Sequence, residues 1–149
     1  MSEQREKVAS FVKNILSQLG IEADLIWKEK DGQSMLDIHG DDVAVLLANG
    51  AKVLYSIEYL CNLIYADKRE ELRVVLDCND FRAMRSYELE LLAKKAAEKV
   101  KTSHRPFPLQ PMPANERRII HLALAEDPQV KTESQGFGDN RRVVILPSE

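Results

Sequence analysis

Val8, Phe11, Val12, Ile15, Leu16 and Leu19 recur at helical spacing and Gly20 follows, so the chain opens with an amphipathic helix that ends there. The period then changes. Residues 23 to 30 and 33 to 39 read as two strands around the hairpin-type turn Asp31-Gly32, with Leu36, Asp37 and Ile38 alternating as a half-buried strand does. A short helical stretch covers Asp42 to Leu47. After Ala48-Asn49-Gly50-Ala51, a second helix puts Leu54, Ile57, Leu60, Cys61 and Ile64 on one face. Leu72, Val74, Leu76 and Cys78 alternate with Arg73, Val75, Asp77 and Asn79, which predicts a third strand. A long helix from about Asp80 to Lys101 follows, burying Leu89, Leu92, Ala93, Ala96 and Val100.

The remainder is punctuated by proline. The stretch Arg105 to Pro113 holds four of the six prolines, which imposes an extended path and forbids helix until the last of them, a residue tolerated in a first helical turn. A helix from about Ala114 to Ala125 stops before Asp127-Pro128. Two strands, Val130 to Ser134 and Arg141 to Leu146, then flank Gly136-Phe137-Gly138-Asp139-Asn140. The pattern is that of an α+β protein in two parts.

Composition is that of an ordinary globular protein, with 44% hydrophobic and 30% charged residues. No apolar run is long enough for a membrane span, and no signal peptide is readable at the N-terminus, so the cytoplasm is the expected location. Cys61 and Cys78 lie in apolar patterns without metal-ligand spacing and read as reduced core thiols. His39 sits between Asp37 and Asp41, but strand alternation argues against a three-ligand metal cluster there. Tyr55 and Tyr59, four apart on an apolar helix, read as core or rim residues, and Trp27 as core. No phosphate loop, nucleophile elbow or acid-base pair is visible, so neither an enzyme nor a cofactor is expected. The net charge of −3 hides an asymmetry: residues 1 to 79 carry 9 Lys and Arg against 14 Asp and Glu, whereas residues 80 to 149 carry 12 against 10.

Within the basic part, Arg117 and His121 are four apart and project from one helix face, with Arg118 beside them and Ile120, Ala123 and Leu124 turned inward. A guanidinium fork suits phosphate oxygens, and an imidazole can hydrogen-bond a phosphate or stack on a base. Such pairs arise by chance on many helices, and only their surroundings give this one meaning. The run Asn115-Glu116-Arg117-Arg118-Ile119-Ile120-His121, then Asp127-Pro128, Ser134-Gln135-Gly136-Phe137-Gly138 and Arg141-Arg142-Val143-Val144-Ile145 resembles the R-3-H domain, named for an Arg and a His with three residues between them. The resemblance covers residues 103 to 147. It implies a small α/β domain that binds single-stranded nucleic acid through the exposed pair.

The preceding segment resembles the KH-type domain of the Jag family, the SpoIIIJ-associated proteins of bacteria, in which a KH domain stands before an R-3-H domain. Leu46-Leu47, Leu54 to Asn62 and Arg73 to Asp77 carry the likeness. It implies a type II-like KH domain over residues 1 to 80 (helix, two strands, helix-loop-helix, strand), a long connecting helix over 81 to 102, and an R-3-H domain over 103 to 149. The resemblance implies a short form, without the separate N-terminal domain of many Jag proteins. A KH domain joins two helices by a Gly-x-x-Gly loop whose bare backbone approaches phosphates. Here the positions are Ala48-Asn49-Gly50-Ala51, with Lys52 next and acidic Asp41 and Asp42 upstream, which predicts weak binding or none.

Two functions are therefore open. One is a non-catalytic binder of single-stranded RNA, or less readily DNA, using Arg117 and His121 on phosphates. Arg118, Lys131, Arg141 and Arg142 would supply the surrounding field, with one of the last two pointing away, and Phe137 is a candidate for base stacking. The other is an adaptor whose KH unit docks or dimerises while nucleic-acid binding is secondary. Resemblance to Jag further implies self-association, a second small KH protein, or a membrane insertase as partners.

Overall fold

The computed structural model describes residues 3–65 and 73–149, which divide into two compact units at Arg82 and Ala83. In the first, α1 (Glu3–Gln18) is followed by β1 (Asp24–Lys30), β2 (Gln33–His39), α2 (Ala44–Tyr65) and β3 (Val75–Cys78). β1 and β2 pair antiparallel, with Trp27 opposite Leu36, whereas β2 and β3 run parallel, with Leu36 opposite Leu76. A parallel pair needs a crossover connection, and α2 supplies it. Val8, Val12 and Leu16 of α1 meet Leu36, Ile38, Leu76 and Cys78 of the sheet and Leu46, Leu54, Ile57 and Cys61 of α2 in one core. Burying each of the larger aliphatic chains contributes roughly 2 kcal/mol.

α2 is two helices joined by a break. Ala48 is extended, and Asn49, Gly50 and Ala51 follow at φ of 54°, 72° and 59°, a left-handed run that reverses the chain before Lys52. The buried stripe beyond the break is narrower than the sequence pattern predicts. Leu60 and Ile64 are 40% and 54% exposed and Tyr59 lies out in solvent, while Leu54, Ile57 and Cys61 are buried in the core. Tyr55 is half-buried with the Arg82 guanidinium 5.1 Å from its ring centre. Trp27 is half-buried beside Arg5. His39 Nε2 lies 2.8 Å from Asp37 Oδ2, an oxygen that also receives Lys28. The expected start of the third strand at Leu72 lies outside the described residues.

α3 (Phe81–Ser103) begins at the end of the first unit, where its Arg82 N–H donates to Asp77 Oδ1, and runs on through the second. Its buried stripe there is Leu89, Ala93, Ala96, Ala97 and Val100, while Leu92, expected inside, is exposed. The stripe of mostly small residues is offset from Leu92 by one position, about 100° around the helix. β4 (Phe107–Pro108), α4 (Ala114–Leu124), β5 (Val130–Gln135) and β6 (Arg142–Pro147) complete the unit, with a single 3-10 turn at Gly138–Asn140. The sheet order is β4-β6-β5, antiparallel throughout. Val130, Val143 and Ile145 share one face of it and pack with the α3 stripe, Leu109, and Ile120 and Leu124 of α4.

Candidate nucleic-acid interface

Pro113 precedes α4 in extended conformation, and its carbonyl receives the N–H groups of Glu116 and Arg117, so the proline-rich approach itself starts the helix. Ile120 and Leu124 then set which side faces the sheet. Glu116, one residue before Arg117, is only 3% exposed. Arg85 of α3 meets it as a fork, Nε donating to Oε1 at 3.0 Å and Nη2 to Oε2 at 3.1 Å, and burial of the carboxylate is thereby compensated.

Arg117 Nη1 donates to the Met112 carbonyl at 3.2 Å, while Met112 N–H donates to the Arg141 carbonyl, also at 3.2 Å. The guanidinium is thus tethered to backbone that is itself stitched to the start of β6. One turn along α4, His121 is half-buried against β5: Nδ1 lies 2.6 Å from Thr132 Oγ1, and Nε2 lies 2.8 Å from Ser134 Oγ. Both ring nitrogens are therefore engaged within the protein. Burial, and then the charge of Arg117, push the His121 pKa below its ordinary value, which favours the neutral ring.

Strand register sorts the remaining basic residues. Ser134 pairs with Val143 and Thr132 with Ile145, so these four share the face on which α4 lies. Arg141, extended at φ −71° and ψ 131°, alternates onto that same face, and its Nη1 donates to the Gly136 carbonyl at 2.8 Å. Lys131, paired with Leu146, and Arg142, paired with Gln135, lie on the opposite face. Arg118 is exposed, about 100° around the helix from Arg117. Hence Arg117, His121 and Arg141 lie on one side of the sheet, and Lys131 and Arg142 on the other.

The tip of the β5–β6 connection is held open by glycine. Gly136 has φ +89°, and a Cβ there would lie 2.9 Å from the Asn140 carbonyl oxygen, so no other residue fits. The turn leaves Phe137 90% exposed, next to the carbonyl that Arg141 grips. The sequence pattern assigns no role to Thr132, Ser134, Arg85 or Glu116. For the two hydroxyls a signal existed, since alternation from the buried Val130 puts both on the inner face opposite the helix.

The 48–51 turn differs in its electrostatics. Ala48, Asn49, Gly50 and Lys52 are exposed, Ala51 is fully buried, and no cation lies within the turn, while Asp41 and Asp42 are exposed upstream.

Residues 87–147 match the model of the R-3-H domain. Over 144 residues the chain is 33% identical to the RNA-binding protein KhpB of Clostridium symbiosum, covering 95% of this chain and 65% of that protein. Against the RNA-binding protein KhpB of Bacillus subtilis it is 30% identical over 138 residues, covering 91% and 66%. For the KhpB of Lactiplantibacillus plantarum the identity is 27% over 140 residues, covering 93% and 43%. The chain thus spans just under two thirds of the first two relatives and less than half of the third. With the Arg117–His121 helix, the glycine turn and the Arg141 strand following one another within residues 87–147, the chain matches the R-3-H domain there and is similar along nearly its whole length to the KhpB proteins.

Proposed function

We propose that this protein is a cytoplasmic, non-catalytic binder of single-stranded RNA that takes the phosphate backbone on the α4–β5 face of its R-3-H domain. The observation that carries this reading is the convergence of Arg117, His121 and Arg141 on one side of a small sheet, with Phe137 exposed at the adjoining turn. Two guanidinium groups suit phosphate oxygens, and an aromatic ring beside them suits an unpaired base. Arg118, Lys131 and Arg142 contribute field rather than contacts, since field acts over a Debye length of about 8 Å at physiological salt. The relatives' name, RNA-binding protein KhpB, agrees in ligand class.

In this reading residues 1–80 form a KH unit, and the helix over 81–102 leads into the R-3-H domain, whose match begins within it at residue 87. The KH loop, Ala48 to Ala51 with Lys52, contributes little affinity. Fluorescence anisotropy with a labelled single-stranded RNA at several salt concentrations tests the assignment. Arg117→Ala/His121→Ala is expected to weaken binding by roughly thirtyfold or more, as loss of charge-assisted hydrogen bonds does. It should also lower the salt slope by about one. Unchanged affinity and slope in the double variant would remove the site.

A further inference from the structure

The Arg-x-x-x-His motif assigns no part to the two hydroxyls beneath His121, yet they occupy both ring nitrogens. A neutral imidazole has one N–H donor and one bare nitrogen. One hydroxyl must therefore donate to the ring and the other must accept from it. The donating hydroxyl has only lone pairs left for a ligand. The accepting one keeps its own O–H, which is what an anion needs.

Position selects Ser134 for that second role. It stands two residues before Gly136, whose carbonyl receives the Arg141 guanidinium, and the Arg141 carbonyl receives Met112, whose own carbonyl receives Arg117. Thr132 is set back by one strand repeat, roughly 7 Å further from that turn. Ser134, like Thr132, is half-buried.

We propose that Ser134 is a direct phosphate ligand of this interface and that His121 is its positioning residue: Nε2–H donates to Ser134 Oγ, Nδ1 accepts from Thr132, and the Ser134 O–H is thereby aimed at a phosphate oxygen between Arg117 and Arg141. This rests on the RNA-binding reading above and deepens it. The familiar pair is then divided in function, with the arginine touching the ligand and the histidine acting through a third residue.

A pH signature follows from the same geometry. Protonated His121 donates at both nitrogens, so both hydroxyls accept from it and both keep an O–H for the ligand. The charge facing His121 comes from Arg117 on its own helix. β5 presents Thr132 and Ser134, the β6 residues paired with them are Ile145 and Val143, all uncharged, and Arg141 on the same face is turned to the Gly136 carbonyl. A bound phosphate offsets the repulsion from Arg117, so binding takes up a proton and strengthens as the pH falls.

The test is anisotropy of the full chain with a fluorescein-labelled oligouridylate, titrated between about pH 8 and about pH 5.5, where an imidazole changes charge. Circular dichroism melts confirm that each variant is folded. Ser134→Ala is expected to weaken binding roughly tenfold, as loss of a hydrogen bond to a charged group does. Ser134→Thr, which restores a hydroxyl, should return to within about twofold, and Thr132→Val should cost less than about threefold, since each leaves the ligand-facing O–H in place. Acid strengthening should vanish in His121→Gln. Affinity of Ser134→Ala within about twofold of wild type, less than one such bond is worth, overturns the proposal. So does a loss in Ser134→Thr equal to that in Ser134→Ala. If the wild type binds no oligonucleotide, it is the RNA reading that fails, and inorganic phosphate followed in amide NMR spectra then decides the Ser134 assignment. A shift of the Ser134 amide in wild type that Arg117→Ala abolishes supports it, and no shift overturns it.

Discussion

The break in α2 and the β5–β6 turn both use left-handed backbone, but they surround it differently. Asn49, Gly50 and Ala51 turn the chain without a cation among them and with Asp41 and Asp42 exposed upstream. Gly136 and Gly138 turn it beside the Arg141 guanidinium, on the face that carries Arg117 and His121. Ala51 shows what the first loop does instead. Its methyl is fully buried in the core of the first unit, although a non-glycine residue in this conformation costs about 1 to 2 kcal/mol. The buried methyl recovers roughly 0.8 kcal/mol of that. One turn has been turned over to packing, and the other is kept open, with charge held around it. In the proposed reading, left-handed backbone alone does not make a phosphate site, and cations anchored beside it do.

The anchoring can be broken most severely at Arg85. Arg85→Met leaves the Glu116 carboxylate buried beside Arg117 without its fork, and removing one partner of such a pair costs on the order of 3 kcal/mol. Urea unfolding followed by far-UV circular dichroism should show that loss. Arg85→Met/Glu116→Met should recover most of it, because an apolar pair of similar size removes the uncompensated charge. A single variant as stable as wild type would mean that α4 is held by Ile120 and Leu124 alone.

The next effect is a pH dependence of stability, and it sets the second unit against the first. The pKa of His121 is depressed in the folded protein, so the unfolded chain takes up its proton first as pH falls. The stability linked to this ring is fully present above the unfolded value of about 6.5 and declines as pH falls from there toward the lower folded value. His121→Gln should flatten that part of a melting-temperature profile. A variant profile parallel to that of wild type would mean that neither burial nor the charge of Arg117 depresses this ring. In the presence of RNA the dependence should reverse, since bound phosphate favours the charged ring.

Much of this architecture was legible in the chain. The Asp31-Gly32 turn, the proline run before α4 and Asp127-Pro128 after it each act through local backbone restriction, and the elements begin and end where they predict. Arg117 and His121 share a face because of helix period alone. What resisted reading depended on a second element. Leu60, Ile64 and Leu92 fit the helical period, but the width of a buried stripe is set by what packs on it. Whether Arg141 or Arg142 faces α4 needed the register of β6 against β5 and the helix lying on the Val143 face. Arg85 and Glu116 are 31 residues apart, and nothing local links them.

The smallest expected effect bears most directly on the loop. Ala48→Gly/Ala51→Gly recreates the bare backbone of a Gly-x-x-Gly turn while leaving Asp41, Asp42 and the absence of an internal cation unchanged. Stability should move by less than about 1 kcal/mol, since relief of the left-handed alanine is set against the loss of its buried methyl. RNA affinity should change by less than about twofold, because conformational freedom adds no charge to the loop. Adding Asn49→Lys to that background supplies one, and a gain of a fewfold that disappears at high salt is then expected. If the glycines alone raised affinity tenfold or more, a methyl group rather than missing charge would be what silences the first loop, and the two turns would differ by shape after all.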